Sequence, residues 1–142
     1  MNKEKSILHL ANDYTGSKVY KNLIESLDKL NVYQIIYTPI RLEELIGKNH
    51  IKLHTKHSKI IYRHILNLSD SIFFKKKISK LVTDVLQHID INSVKTIHAH
   101  TWFSDGAVAY ELFNKYKIPY IVTIRNTDLN LFFKYMLHLK NY

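Results

Sequence analysis

The chain has 142 residues, 46% of them hydrophobic, which suits a single globular domain with one core. It contains no cysteine, which excludes disulfides, thiolate metal ligands and a cysteine nucleophile. The N-terminal residues lack an apolar segment long enough for a secretory signal, and no run of about eighteen apolar residues occurs. We therefore expect a cytoplasmic protein without a membrane-spanning helix.

The charge is strongly basic, with a formal net charge of +9 and a sequence pI of about 9.6. Only Arg41, Arg63 and Arg125 are arginines, so 18 of the 21 cationic residues are lysines. A basic surface attracts anions such as phosphorylated substrates or an acidic membrane surface. Lysine lacks the guanidinium fork that suits base recognition, so we do not expect nucleic acid as a partner.

The first third of the chain alternates between strand and helix patterns. Residues 6–11 (SILHLA) form a short apolar run typical of a buried strand. Residues 20–27 repeat apolar side chains at the i, i+3, i+4, i+7 spacing of one helix face. Residues 31–40 predict a second strand closed by Pro39, and a short helix ended by Gly47 should follow.

The middle of the chain is ambiguous. Residues 50–55 (HIKLHT) alternate weakly and favour a third strand, yet residues 48–71 as a whole also fit a mostly helical segment. The clearest helix of the chain follows, with an apolar stripe over residues 78–89. Residues 94–99 (VKTIHA) then predict a fourth strand.

The last part continues the alternation. Residues 106–116 predict a helix, residues 119–125 a fifth strand with Pro119 at its first position, and residues 129–142 the start of another helix. Such alternation is typical of parallel βαβ units with right-handed crossovers. We therefore predict one α/β domain over residues 1–142, Rossmann-like, with three αβα layers and a mostly parallel twisted sheet.

The turn at residues 13–18 (DYTGSK) follows the first predicted strand. In doubly wound sheets this turn often binds phosphate, because the helix N-terminus that follows attracts anions. Gly16 would let a ligand approach the backbone, and Ser17 could cap the helix. The turn has neither a G-x-G-x-x-G nor a P-loop pattern. An anion site and an ordinary glycine turn with an N-cap both stay open.

The segment HAHTWFSDG follows the fourth predicted strand. His98 and His100 share one face of that strand, and two histidines at this spacing can bind a metal. No carboxylate closer than Asp105 completes a ligand set, so we predict no metal site. We favour imidazoles that hydrogen-bond or handle protons, with Ser104 or Asp105 capping a helix whose first turn Gly106 keeps open. The alternative has His98 in the core and His100 on a loop.

The segment TIRNTDLN ends the fifth predicted strand. It brings together a cation, an amide, a hydroxyl and a carboxylate: Arg125, Asn126, Thr127 and Asp128. This set can hold a polyhydroxyl or phosphorylated ligand. Thr127 or Asp128 could equally cap the next helix, and the two interpretations are compatible because strand-end loops form the ligand crevice of such sheets.

A basic stretch at residues 54–59 (HTKHSK) contains a His-x-x-His pattern among lysines. We favour a solvated basic face, with docking to an anionic acceptor or membrane as the alternative. Phe73 and Phe74, placed just before the lysines at 75–77, add some support to membrane contact.

Taken together, the glycine turn, IHAHTWFSDGAVAY and IPYIVTIRNTD resemble the N-terminal, acceptor-side domain of GT-B-fold glycosyltransferases, specifically glycosyltransferase family 4. The resemblance spans nearly the whole chain. It is strong over residues 95–128 and weak between residues 40 and 80.

The resemblance implies roles for individual residues. Gly16 matches a loop glycine near the donor diphosphate, with Ser17 and Lys18 as neighbouring phosphate or acceptor contacts. The catalytic positions would be His98, His100, Arg125 and Asp128. Arg125 departs from the family, which has a histidine near the reacting sugar there, and it could hold a negative group instead. The remaining substrate contacts would be Thr101, Asp105, Gly106, Asn126 and Thr127.

The implied activity is a retaining sugar transfer from a nucleotide-sugar to a glycan or lipid-linked acceptor. The resemblance implies no metal or other cofactor, and peripheral contact with the anionic inner face of a membrane is compatible with it. Family members bind the nucleotide-sugar through a second Rossmann domain. We expect this chain to be a truncated GT-B N-terminal domain that lacks this C-terminal domain and is inactive alone.

Two other classes of function stay open: a flavodoxin-like electron carrier that binds flavin, and a non-catalytic α/β interaction module. For the glycosyltransferase hypothesis we also expect that, in a full two-domain relative, His100→Ala strongly reduces transfer while folding stays intact, because a strand-end loop position contributes little to a core.

Overall fold

The computed structural model describes residues 5–126 and 128–135, and it forms a five-stranded sheet in which every strand pair is parallel. The strands and main helices are β1 (Ser6–Leu10), α1 (Lys18–Lys29), β2 (Gln34–Ile40), β3 (Lys59–His64), α2 (Phe74–His88), β4 (Val94–Ala99), α3 (Ser104–Tyr116) and β5 (Tyr120–Val122). After β5, a π-helical turn at Asp128–Phe132 leads into the short helix α4 (Phe133–Tyr135). Of the predicted last helix, residues 136–142 lie outside the described residues.

Alternating side chains of the strands build a core on each side of the sheet. Leu8 and Leu10 of β1 face the larger core, which α2 and α3 cover. Ala11 faces the smaller core, where α1 contributes Tyr20 and Ile24. The result is the predicted α/β domain with Rossmann-like layers of helix, sheet and helix, so the fold-class prediction is confirmed.

The order of the strands locates the crevice of the fold. The order is β3-β2-β1-β4-β5. The chain adds β2 and β3 on one side of β1, and it then returns to add β4 and β5 on the other side. Ligands of doubly wound sheets bind where the order reverses, outside the carboxyl ends of the strands. Flavodoxins have the order 2-1-3-4-5. The observed order therefore does not support the flavodoxin-like alternative.

The prediction of a third strand at residues 50–55 is wrong, because β3 is Lys59–His64. The backbone N–H groups of His54 and Thr55 donate to the Asp28 carboxylate at 2.8 and 3.2 Å, so they are not available for a sheet ladder. Residues 54 and 55 of the basic stretch are thus attached to the end of α1. The helix predicted before Gly47 is reduced to a 3-10 turn at Glu43–Leu45.

Pro39 lies within β2, where we expected it to close the strand. Alternate residues of a strand bond to alternate neighbours, and the backbone oxygen of Tyr37 accepts the N–H of Ala11, the residue directly after β1, at 3.0 Å. Two residues further along the strand, the backbone of Pro39 faces the same neighbour as that of Tyr37. The pairing of β1 with β2 ends at Leu10 and Tyr37, so no residue of β1 lies opposite Pro39. No ladder hydrogen bond is lost there, so the proline fits inside the strand.

Across the described ranges, no helix has both the length and the apolar content needed to cross a bilayer.

Candidate functional site

A cavity of about 460 Å³ lies at the carboxyl ends of β1, β4 and β5. All three loops singled out in the sequence contribute to it, and α2 adds one wall. The residues that line it include Asp13, Tyr20, Lys77, Thr101, Ser104, Arg125 and Asp128. The fold thus gathers residues that are far apart in the sequence at one crevice, at the switch point of the sheet.

Arg125 is held firmly at this cavity. Its guanidinium carbon lies 4.4 Å from the centre of the Tyr20 ring, and its Nε donates to the backbone oxygen of His100 at 3.1 Å. Stacking and a single hydrogen bond leave further N–H groups of the guanidinium for a ligand. Burial raises the pKa of the neighbouring Asp13 carboxyl, and the positive charge of Arg125 opposes that rise.

Asp128 joins two of the loops. It is only 1% exposed, and its carboxylate accepts the N–H of Trp102 at 3.1 Å and that of Arg125 at 2.8 Å. Asp128 therefore fixes the β4–α3 loop relative to the loop after β5. The neighbouring Asn126 is exposed, and its side chain bonds to Asn130 rather than lining the cavity. Thr127 lies outside the described residues.

Asp105 lies in the first turn of α3 and is fully enclosed. Its carboxylate accepts the N–H of Asn12 at 3.2 Å and the hydroxyl of Thr101 at 3.0 Å. Burial raises its pKa to about 7, although both hydrogen bonds act in the opposite direction. The prediction that Ser104 or Asp105 caps α3 is wrong. The residue at the cap position is Phe103, and the Thr101 hydroxyl instead accepts the N–H of Asp105 at 3.4 Å.

Lys77 is a site residue that the sequence analysis missed. It belongs to the run Lys75–Lys77, which resembles a solvated helix face, but its Nζ donates to the hydroxyl of Ser104 at the start of α3. Burial lowers its pKa, while Asp105 and Asp70 oppose the shift. No local sequence signal separates it from the two exposed lysines beside it, because its position depends on how α2 packs against α3.

The two predicted histidines lie side by side on the sheet, with a third that we did not predict. His98 and His100 stack with ring centres 4.0 Å apart, and His9 of β1 pairs with His98 in the sheet register. The Nδ1 of His9 and the Nε2 of His100 are 3.0 Å apart. His100 follows β4 on the loop, as the alternative had it, but it is only 1% exposed, and His98 of β4 is half-buried. None of the three rings lines the cavity.

The glycine turn contributes to the cavity only through Asp13. A Cβ on Gly16 would lie 2.1 Å from Oδ1 of Asp13, so that carboxylate already occupies the space we assigned to a ligand. Ser17 is the N-cap of α1, as predicted, with its Oγ accepting the N–H of Val19 at 3.3 Å. Gly16, Ser17 and Lys18 do not line the cavity. Gly106 lines a neighbouring cavity of about 350 Å³.

Asp105→Asn should change how stability depends on pH. The ordinary pKa of this carboxyl is 3.8, so between about pH 4 and pH 7 the folded protein keeps a proton that the unfolded chain loses. The contribution of Asp105 to stability therefore falls as pH rises, by about 1.4 kcal/mol per pH unit at most. Lys77 and Asp128, the charged groups that act on it from neighbouring elements, are unchanged in the variant.

Urea unfolding of both proteins at several pH values tests this. The free energy of unfolding of the variant, relative to the native protein, should rise between pH 4 and pH 7. All other titrating groups are shared and cancel in the difference. A difference that does not vary with pH would show that Asp105 is ionised throughout.

No protein-family model matches the chain, and neither the curated proteins nor the solved structures yield a match. The resemblance to glycosyltransferase family 4 thus stays a prediction that is based on the residues alone.

Proposed function

We propose that this chain is the acceptor-side domain of a retaining glycosyltransferase, which transfers a sugar from a nucleotide-sugar to a glycan or lipid-linked acceptor. The observation that carries the proposal is the cavity at the strand ends. It combines two cationic side chains, Lys77 and Arg125, with the hydroxyls of Thr101 and Ser104. Cations suit a phosphate group, and hydroxyls and carboxylates suit the hydroxyls of a sugar.

Each residue has a distinct part in the proposal. Arg125 and Lys77 hold a phosphate or another negative group, and Asp128 fixes the position of Arg125 through its backbone N–H. Asp105, whose pKa lies at about 7, is close to the neutral range in which a carboxyl group can take up and release protons. It is enclosed beneath Thr101, so it would act on a ligand through that hydroxyl.

The donor side would come from a second, nucleotide-sugar-binding domain, and closure of the two domains would exclude water from the reacting sugar. A cytoplasmic location at the inner face of a membrane belongs to the same proposal. Ile72 and Phe73 are 78% and 53% exposed next to the cavity wall, and Lys76 Nζ lies 5.2 Å from the Phe73 ring. An apolar and cationic rim of this kind suits an anionic lipid surface.

Binding of a sugar phosphate to the full chain tests the proposal. We expect glucose 1-phosphate to bind, as measured by calorimetry, and to bind more tightly than the uncharged methyl glucoside. Arg125→Ala should weaken binding of glucose 1-phosphate by about 10-fold or more, because it removes charge-assisted hydrogen bonds. Lys95→Ala is the matched control, since Lys95 is exposed near the amino end of β4, at the opposite edge of the sheet.

Three results would overturn the proposal. One is that neither glucose 1-phosphate nor methyl glucoside binds to the folded protein. Another is binding that Arg125→Ala and Lys95→Ala affect equally, which would indicate a general attraction to anions. The third is binding of flavin mononucleotide in place of the sugar phosphate, which would favour an electron carrier.

A further inference from the structure

Three imidazoles from two neighbouring strands share one face of the sheet. His98 lies on β4, His100 follows directly after the end of that strand, and His9 lies beside His98 on β1. The ring of His9 is 5.4 Å from that of His98 and 5.3 Å from that of His100, measured between ring centres. The sequence places His9 some ninety residues from the other two, so only the pairing of β1 with β4 reveals the cluster.

One nitrogen from each ring converges on a common point. These three nitrogens all lie within 4.8 Å of one another, and the pair from His9 and His100 is 3.0 Å apart. In a tetrahedral zinc site the Zn–N distance is about 2.0–2.1 Å, so ligand nitrogens lie about 3.3 Å apart. To reach this spacing, the longest of the three separations would have to shorten by up to about 1.5 Å. Three histidine nitrogens with a fourth position left open is a recurrent zinc ligand set.

The hydrogen bonding of the cluster is incomplete. His9 and His100 are 0% and 1% exposed, and among the described residues neither Nε2 of His9 nor Nδ1 of His100 has a hydrogen-bond partner. Buried polar atoms without partners are rare in folded proteins. The contact between His9 and His100 uses a single proton between two rings. A cation at the converging pair, Nδ1 of His9 and Nε2 of His100, would replace this shared proton. The other nitrogens of the two rings, Nε2 of His9 and Nδ1 of His100, would then carry the ring protons.

The side chain of Gln34 acts on the His9 ring. Its side-chain NH₂ group donates to the backbone oxygen of Ile24 at 3.1 Å, and its Oε1 has no hydrogen-bond partner among the described residues. The amide acts on His9 and raises the pKa of that ring, against the larger effect of burial. Because Nδ1 of His9 is the nitrogen that contacts His100, a metal bound there leaves the ring proton on Nε2. Metal-bound histidines are commonly oriented by such a partner.

The charges around the cluster permit a divalent cation. Burial lowers the pKa of all three rings, to about 3 for His9 and about 2 for His100, so the rings are neutral, as metal ligands must be. Arg125 is the cation that acts on His98 and His100. The Tyr20 ring contacts His100, and three nearby carboxyl groups raise the pKa of its hydroxyl, those of Asp13, Asp105 and Asp128. The region is therefore not uniformly positive.

We propose that His9, His98 and His100 bind one zinc-class divalent cation, with a fourth ligand position that is reached past the half-buried His98. Imidazole ligands without carboxylate favour Zn²⁺ and its neighbours over Mg²⁺ or Ca²⁺. The site is separate from the sugar cavity, and the proposal does not depend on sugar transfer.

Zinc binding to the full chain, first freed of metal with a chelator, tests this proposal. We expect one Zn²⁺ per chain, and Co²⁺ in its place should give the visible absorption of a four-coordinate site. In the wild-type protein, the imidazole ¹⁵N chemical shifts of three of the nine histidines should change on addition of Zn²⁺. These three should be His9, His98 and His100. His98→Asn should weaken the affinity by about 100-fold or more, because it removes a ligand.

The double variant His54→Asn/His57→Asn is the control, because His54 and His57 form the exposed His-x-x-His pattern. It should bind Zn²⁺ like the wild type. The proposal fails if the folded wild-type chain takes up no Zn²⁺ in stoichiometric amounts. It also fails if the NMR changes occur at His54 and His57, or if His98→Asn binds as tightly as the wild type while its circular dichroism shows an intact fold.

Discussion

Replacing Asp84 by alanine is expected to lower the free energy of unfolding by about 3 kcal/mol. Asp84 lies on α2, is 7% exposed, and accepts the Tyr37 hydroxyl at 2.8 Å. It also binds the Arg63 guanidinium at two nitrogens, with contacts of 2.8 to 3.1 Å. Its removal leaves a buried hydroxyl and a largely enclosed cation without their acceptor. The expected loss is at the low end for a buried ion pair, because the Arg63 side chain is 31% exposed.

The pH dependence gives this prediction a second readout. Burial alone would raise the pKa of Asp84, but the hydrogen bonds from Arg63 and Tyr37 outweigh it and hold the pKa below its ordinary 3.8. The stabilisation is thus present above about pH 4 and is lost as pH falls further. Urea unfolding measures both effects, with Glu111→Ala on the exposed face of α3 as the control. A loss no larger than that of Glu111→Ala would contradict the role of this ion pair.

His100→Ala is expected to destabilise the fold by about 2–3 kcal/mol, which corrects the expectation that this variant folds normally. The ring is buried, stacks on His98, and contacts the Tyr20 ring edge-on with ring centres 5.2 Å apart. Truncation to alanine leaves a cavity between the sheet and α1 and removes the partner of His9 Nδ1. A loss of activity in this variant would therefore not by itself assign a catalytic role to His100.

Thermal and urea unfolding of metal-free protein measure this effect without any contribution from bound ions. His57→Ala is the matched control, because His57 is exposed in the loop before β3. Equal stability of the two variants would mean that the sheet and α1 close over the missing ring. Arg125→Ala remains the better probe of function, since the guanidinium lines the cavity.

The sequence predicted those parts of the fold that are determined locally. β4 has the predicted bounds, because a short run rich in β-branched residues follows the clearest helix stripe of the chain. The third strand was misplaced because Asp28, at the end of α1, binds the backbone of His54 and Thr55. That contact bridges 26 residues in the sequence, and no local pattern contains it.

The candidate site was predictable to the extent that strand ends determine it. Arg125 and Asp128 were found because loops at the carboxyl ends of parallel strands meet, whereas Thr101, which lines the same cavity, was implied by the family resemblance. Lys77 and His9 were missed for a different reason. Each becomes part of the site only through packing of whole elements, α2 against α3 and β1 against β4.

The chain has one tryptophan, Trp102, and its backbone N–H is held by the same carboxylate that holds Arg125. Trp102 also lines the smaller cavity beside α3. A ligand that displaces Arg125 would pull on Asp128 and shift the indole. We therefore expect the emission of this intrinsic fluorophore to change when a ligand binds at the neighbouring crevice, with no added label.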